Sequence, residues 1–198
     1  MRESKSTIEN KLNQQLETSI KLHEYLKTQI GNIIKISRII EEALNTGKKV
    51  IVFGNGGSAA DSQHMVGELI GRFYQERKPL RAIALTTNTT ILTAIANDYG
   101  FKKVFSRQIE ALAEKGDVVI GISTSGKSKN VLLGIEEAKK RGAITVALTG
   151  NKGILKTMAD YSISIPSNDT PRIQEAHIAT EHIICYLVEN SFLSVKSV

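Results

Sequence analysis

The chain has 198 residues, a length that suits one domain with a sizeable core and a possible appendage. Hydrophobic residues make up 41% and charged residues 23%, which excludes a mostly disordered or a fibrous protein. The 26 Lys and Arg against 20 Asp and Glu give a net charge of +6, compatible with an anionic ligand, with nucleic acid or with a merely basic surface.

Residues 1–47 predict helix, because apolar residues recur there every four positions. The repeat is clearest at Ile8, Leu12, Leu16 and Ile20. We expect Gly31 to divide the segment into two helices and Gly47 to end the second. Because the segment has no chemistry-bearing pattern, we expect it to pack on the core or on another subunit.

After Gly47, short apolar runs alternate with helical stretches. The runs predict strands at 50–53, 82–85, 118–122, 144–148 and 162–165. The stretches predict helices at 58–73, 88–97, 104–113, 130–141, 154–158 and 171–192. This alternation predicts an α/β fold, a three-layer αβα sandwich around a parallel sheet of about five strands. We expect one domain over 1–198, with residues 1–47 as a helical extension.

Two predicted strands end in loops that suit an anion. Asn55, Gly56 and Gly57 follow the first strand, where glycines let the backbone approach a ligand. The third strand leads into a serine-rich turn, Ser123, Thr124, Ser125 and Ser128, at the start of the next helix. Neither loop matches a dinucleotide or P-loop fingerprint. Two such loops at the carboxyl edge of one sheet favour an anion site over ordinary serine-capped turns.

Two pairs of polar residues lie near these loops. His64 and Glu68 are four residues apart on the helix after the glycines, so they share a face. A pair at this spacing chelates a divalent metal in some proteins and is a plain surface pair in others. On the last helix, Gln174 and His182 lie roughly 80° apart around the axis, which suits one shared site or incidental polar positions.

Five segments together carry a resemblance to a known family: GNGGSAADSQHMVGELIGRF, TAIANDYGF, GDVVIGISTSGKSKNV, VALTG and RIQEAHIATEHI. They resemble the sugar isomerase (SIS) domain family and, within it, the bacterial phosphoheptose isomerase family. The resemblance covers nearly the whole chain. Many SIS proteins that bind sugar phosphates share the STSG turn, whereas its combination with the other motifs is much more specific.

The resemblance implies conversion of sedoheptulose 7-phosphate to D-glycero-D-manno-heptose 7-phosphate, the first step toward nucleotide-activated heptose for lipopolysaccharide or other surface glycans. It also implies a cytoplasmic homotetramer with one zinc ion per subunit. Family substrate contacts carry over onto Asn55, Gly56, Gly57, Glu68, Asn97, Asp98, Ser123, Thr124, Ser125, Ser128 and Gln174. Family zinc ligands carry over onto His64, Glu68, Gln174 and His182.

This isomerisation needs a base that removes the C1 proton, stabilisation of the enediol and reprotonation at C2. We expect Glu68 to be the catalytic base and His182 its acid–base partner. Because zinc lowers the basicity of a bound carboxylate, the two roles are interchangeable at this stage.

An alternative from another class is a non-enzymatic SIS protein that binds the bacterial replication initiator. That family resembles the chain over the same segments but lacks counterparts of Glu68 and His182, so their presence favours the enzyme. A different sugar-phosphate isomerase is a further alternative. So is a sugar-phosphate-sensing regulator, but the added DNA-binding domain usual in regulators has no room in this chain.

The expected partners are a small sugar phosphate and further copies of the chain. Aromatic residues are only 5% with no Trp, which disfavours nucleic acid. We expect neither a membrane span, since no apolar run approaches roughly 20 residues, nor a signal peptide. The single cysteine, Cys185, excludes an intramolecular disulfide and fits the cytoplasm, and we expect it in the core.

Overall fold

Five parallel strands form one sheet in the computed structural model, which describes residues 4–193. The strands are β1 (Val50–Gly54), β2 (Ala82–Ala84), β3 (Val118–Ser123), β4 (Ile144–Gly150) and β5 (Tyr161–Ile165). Their order across the sheet is β2-β1-β3-β4-β5, and all neighbours are parallel. The predicted fold class and strand number are therefore confirmed.

Helices cover both faces of the sheet. They are α1 (Lys5–Thr28), α2 (Ile30–Asn45), α3 (Gly57–Ile70), α4 (Thr89–Tyr99), α5 (Ser106–Leu112), α6 (Lys129–Lys140), α7 (Leu155–Met158) and α8 (Thr170–Ser191). Both faces need cover because the strands are apolar on both sides, as β1 shows. Successive side chains of a strand point to opposite faces, and Val50 and Val52 belong to one hydrophobic core while Ile51 and Phe53 belong to the other. The first core is closed by α2, α3 and α8, and the second by α5, α6 and α7. The assignment of all 198 residues to one domain stays a prediction.

The N-terminal helices follow the prediction except at their junction. The break lies at Gln29, whose backbone N–H donates to the Leu26 carbonyl, and Gly31 lies inside α2. The expectation that Gly31 divides the helices was therefore wrong, because a single glycine is tolerated within a helix. Gly47 has a φ of +77° directly after α2, as expected of a glycine that ends a helix. Residues 1–3 of the predicted helix lie outside the described part.

Helix α1 packs on α8, and its buried apolar side chains lie in its C-terminal half. Leu22 and Leu26 are buried there. The stripe Ile8, Leu12, Leu16 and Ile20, by contrast, is 44–62% exposed. This apolar stripe has no covering partner among residues 4–193, which suits contact with another chain.

Helix α3 ends at Ile70, three residues before the predicted end at Phe73, and the other strand and helix bounds after Gly47 lie within two residues of prediction. Cys185 is buried in the core, at 2% exposed, as expected. No helix in the described range 4–193 is long and apolar enough to cross a membrane.

Candidate active site

The two predicted loops lie side by side at the carboxyl edge of the sheet. The glycine loop (residues 54–58) follows β1, the serine loop (residues 123–128) follows β3, and Gly54 pairs with Ile122 across the two strands. A Cβ at Gly54 would lie 2.9 Å from the Ile122 carbonyl oxygen, so only glycine permits this approach. The loops are thus two walls of one site.

An amide pair joins the two loops. The Asn55 Nδ2 donates to Asn130 Oδ1 at 2.9 Å, and the Asn130 Nδ2 donates to Asn55 Oδ1 at 2.8 Å. Asn130 is 4% exposed, and its Oδ1 also accepts the backbone N–H of Val131. Sequence reasoning missed Asn130, although an Asn within the first turn after the serine loop was a usable signal.

Three serine hydroxyls of the serine loop converge. The Ser123 Oγ lies 2.9 Å from Ser128 Oγ and 3.4 Å from Ser125 Oγ. Ser128 is the N-terminal cap residue of α6, so these hydroxyls lie beside free backbone N–H groups and the positive end of the helix dipole. The arrangement suits a phosphate group.

A cavity of about 290 Å³ lies between the two loops. Its lining includes Asn55, Gly56, Gly57, Ser123, Thr124, Ser128 and Gln174, which are seven of the predicted substrate residues. Gln174 on α8 closes one side and packs against Gly57, where any Cβ would collide with its amide. We call this space the central cavity.

The predicted histidines meet next to this cavity. The Nε2 atoms of His64 on α3 and His182 on α8 are 3.0 Å apart, and the His64 Nε2 lies 3.4 Å from Glu68 Oε1. Burial and the nearby His64 lower the pKa of His182, although Glu68 acts in the opposite direction. His64 therefore contacts both of the residues expected to do acid–base chemistry.

The segment between α3 and β2 is anchored by one buried carboxylate. Glu189, at 1% exposed, accepts the backbone N–H of Phe73 at 2.7 Å, of Tyr74 at 2.7 Å and of Gln75 at 2.9 Å. Burial acts to raise the pKa of Glu189, but these amides and Arg77 hold it below its ordinary value. The Arg77 Nε lies 3.7 Å from Glu189 Oε1.

This anchored segment supports the site. The Arg77 Nη2 donates to the Glu68 carbonyl oxygen at 2.7 Å, and its Nη1 donates to the Gly71 carbonyl oxygen at 3.2 Å. The Phe73 ring lies 5.6 Å from the His182 ring, centroid to centroid. Glu189 and Arg77 thus hold the helix turn of Glu68 and the wall beside His182, and no local sequence signal indicated this.

Buried titratable groups lie behind the histidines. Glu181 is fully buried, both its oxygens lack a hydrogen-bond partner within the described residues, and burial raises its pKa well above the ordinary value. Burial also raises the pKa of Asp61, one turn before His64 on α3. His177 is fully buried as well, and burial lowers its pKa to about 4.

Four predicted substrate residues, Glu68, Asn97, Asp98 and Ser125, are not in the central cavity lining. Ser125 lines a neighbouring pocket, and its Oγ lies 3.4 Å from Ser123 Oγ. Asn97 and Asp98 are exposed near the end of α4, and the Asn97 amide donates to Asp98 at 2.8 Å. Glu68 lies with the histidines instead. The roles expected for these residues stay predictions.

Comparisons with known proteins give a consistent result. The family model described as SIS domain matches residues 16–150. The phosphoheptose isomerase of Thermodesulfovibrio yellowstonii is 48% identical over 192 residues, 96% of each chain. The structure of a phosphoheptose isomerase from Neisseria gonorrhoeae has a TM-score of 0.86 at 38% identity, covering 92% of this chain and 99% of its own. The structure of a phosphoheptose isomerase from Francisella tularensis has a TM-score of 0.88 at 35% identity, covering 91% of this chain and 97% of its own.

Proposed function

Since the chain belongs to the SIS domain family and, within it, to the phosphoheptose isomerases, we propose that it converts sedoheptulose 7-phosphate to D-glycero-D-manno-heptose 7-phosphate. The product would enter the synthesis of nucleotide-activated heptose for lipopolysaccharide or other surface glycans, in the cytoplasm. The observation that carries the proposal is that a loop suited to bind phosphate lies next to a cluster of side chains suited to acid–base chemistry. Ser123 and Ser128 line the central cavity, and Glu68, His64 and His182 lie next to it.

The serine loop is the proposed phosphate anchor. The hydroxyls of Ser125 and Ser128 lie 3.4 Å and 2.9 Å from Ser123 Oγ, at the N-terminus of α6. Hydroxyl and amide donors together with the helix dipole suit a doubly charged phosphate. Binding energy gained at this remote group orients the reacting carbons.

Proton transfer is the task of Glu68 and His182. One group removes a proton from C1 while the C2 carbonyl oxygen gains a proton, which gives the enediol. Return of a proton to C2 and loss of the O1 proton then produce the C1 aldehyde. Glu68 is the proposed base and His182 the partner that protonates and deprotonates the oxygens, and the roles exchange if metal binding weakens Glu68 as a base.

The donor set also suits the zinc ion implied by the family. His64, Glu68, Gln174 and His182 would hold it. Donors on a tetrahedral zinc lie about 3.3 Å apart, given bonds of about 2.0 Å. The observed separations, 3.0 Å between the histidine Nε2 atoms and 3.4 Å from His64 to Glu68, are close to that value. A bound zinc supplies a Lewis acid for the substrate oxygens. No group of three or more His, Cys, Asp or Glu side chains in residues 4–193 is already assembled as a metal site, so side chains would have to move to bind zinc.

A homotetramer is the proposed assembly. The exposed stripe Ile8, Leu12, Leu16 and Ile20 on α1 supports it, because an apolar stripe of four helix turns is costly to leave in water. Self-association through this stripe would bury it.

The test is incubation with sedoheptulose 7-phosphate, followed by measurement of the aldose with and without a chelator. Glu68→Gln should lower kcat at least 100-fold, as loss of a general base does, and keep the native fold. Glu42→Gln, which changes an exposed carboxylate on α2, is the matched control and should keep full turnover. Near-normal turnover of Glu68→Gln would rule out Glu68 as the base, and no aldose from the wild type would rule out the reaction.

A further inference from the structure

A second cavity, of about 160 Å³, lies on the other side of the serine loop. It is lined by Lys127 and Lys152 together with hydroxyl side chains, among them Thr124, Ser125, Ser167 and Thr170. We call it the lysine pocket. Thr124 and Thr170 also line the central cavity, so the two spaces share a wall.

Close backbone packing brings the two lysines together. The Gly150 N–H donates to the Thr124 carbonyl oxygen at 3.2 Å, and the Leu155 N–H donates to the Gly126 carbonyl oxygen at 3.3 Å. Gly126 and Gly153 have φ of +62° and +84°, and a Cβ on either would collide with the opposite backbone. The serine loop and the loop after β4 therefore form one tight unit that presents Lys127 and Lys152 to the same pocket.

Positive charge lies on the lysine-pocket side of the shared wall and not on the central-cavity side. Neither lysine makes an ion pair within the described residues, and the lining of the lysine pocket includes no carboxylate. The lining of the central cavity, in turn, includes no Lys or Arg. A phosphate dianion in the central cavity would thus be held by neutral groups, while Lys127 and Lys152 lie across the shared wall.

We propose that the lysine pocket is an auxiliary site for phosphate-class dianions, adjoining the serine-loop site. Two lysines attract the charge, and the hydroxyls of Ser125, Ser167 and Thr170 are able to donate to the oxygens. The ligand is either the phosphate of the sugar substrate on its way to the serine loop or a separate phosphate monoester. Only the first of these rests on the proposed function.

The test follows the melting temperature as inorganic phosphate is added at constant ionic strength. This gives an apparent phosphate Kd without turnover. A ligand that binds the folded protein raises its stability by an amount that depends on the ratio of the ligand concentration to Kd. We expect Lys127→Gln and Lys152→Gln each to raise this Kd about three- to tenfold. The control Lys129→Gln removes the same charge from the first residue of α6, outside the pocket lining, and should change the Kd less than twofold.

Two further measurements complete the test. In a Ser128→Ala background, which weakens the serine-loop site, phosphate should still stabilise the protein in a manner that depends on Lys127 and Lys152. If substrate docks in the lysine pocket, KM for sedoheptulose 7-phosphate rises with the phosphate Kd. If a separate monoester binds, KM stays constant and only the phosphate response changes.

Equal phosphate Kd values for the wild type, both lysine variants and the Lys129→Gln control would overturn the proposal. So would a phosphate response that Ser128→Ala abolishes. Failure of the proposed function has a different signature, since the sugar phosphate would not turn over while the lysine-dependent phosphate response persisted.

Discussion

Replacement of Glu189 by Gln tests the support of the site most directly. The carboxylate accepts three backbone N–H groups, one on Oε1 and two on Oε2, and faces the buried Arg77. Glutamine keeps the shape but replaces one oxygen with an NH₂ group. At least one backbone N–H then faces another donor, and Arg77 loses its negative partner.

The expected loss is large because both partners are desolvated. Each has a side chain only 1% exposed. A buried donor without an acceptor costs about 1–3 kcal/mol. Removal of one partner of a buried ion pair costs about 3–5 kcal/mol, and the two costs overlap, so we expect Glu189→Gln to lose about 3–5 kcal/mol of unfolding free energy.

Urea unfolding at one fixed protein concentration measures this loss, with Glu42→Gln as the control for an exposed carboxylate. Adding Arg77→Met should cost less than the sum of the single changes, because it removes the unpaired charge. Since Arg77 also holds the Glu68 carbonyl, Glu189→Gln should lower kcat more than it raises KM. A loss below about 1 kcal/mol with unchanged kcat would refute the argument.

Three other expectations are tested separately. Ser125→Ala should raise KM about tenfold, since a hydrogen bond to a charged group is worth roughly 1.5–3 kcal/mol, whereas an unchanged KM with a lowered Tm would make the loop merely structural. Burial lowers the pKa of His177 to about 4 in the folded protein, so on acidification the unfolded chain binds this proton first. The free energy of unfolding should therefore be unaffected by this group above about pH 6.5 and should fall by about 3 kcal/mol toward pH 4. The difference in unfolding free energy between wild type and His177→Leu should follow that curve, and a pH-independent difference would contradict it. Leu16→Glu places a charge in the exposed apolar stripe of α1 and should reduce the particle mass measured by light scattering. A wild type that is already an active monomer would contradict the proposed self-association.

The strands and the two loops were predictable because their signals are local. Strands β1 and β3 are continuous apolar runs that end at glycine or serine, and the prediction placed both to within one residue. The N-terminal junction was missed because Gly31 is a weak helix breaker, whereas the turn at Gln29 has no marker residue.

The rest of the site depends on contacts between distant parts of the chain. Helix α3 ends early because Glu189 takes up the N–H of Phe73, a residue 116 positions away. The contact between His64 and His182 spans 118 positions, and the amide pair of Asn55 and Asn130 spans 75. Residue spacing within one helix cannot show such contacts, so the motifs were found while their supports were not.

The single cysteine gives this fold a built-in reporter. Cys185 faces the core from α8, the helix that also carries Gln174, His182 and Glu189, and burial raises the pKa of its thiol far above the ordinary value. A thiol reagent should therefore react with it only during excursions in which α8 separates from the sheet. The labelling rate of the unmodified protein would thus count those excursions, and slower labelling in the presence of phosphate or sugar phosphate would measure how strongly the ligand holds the helix closed.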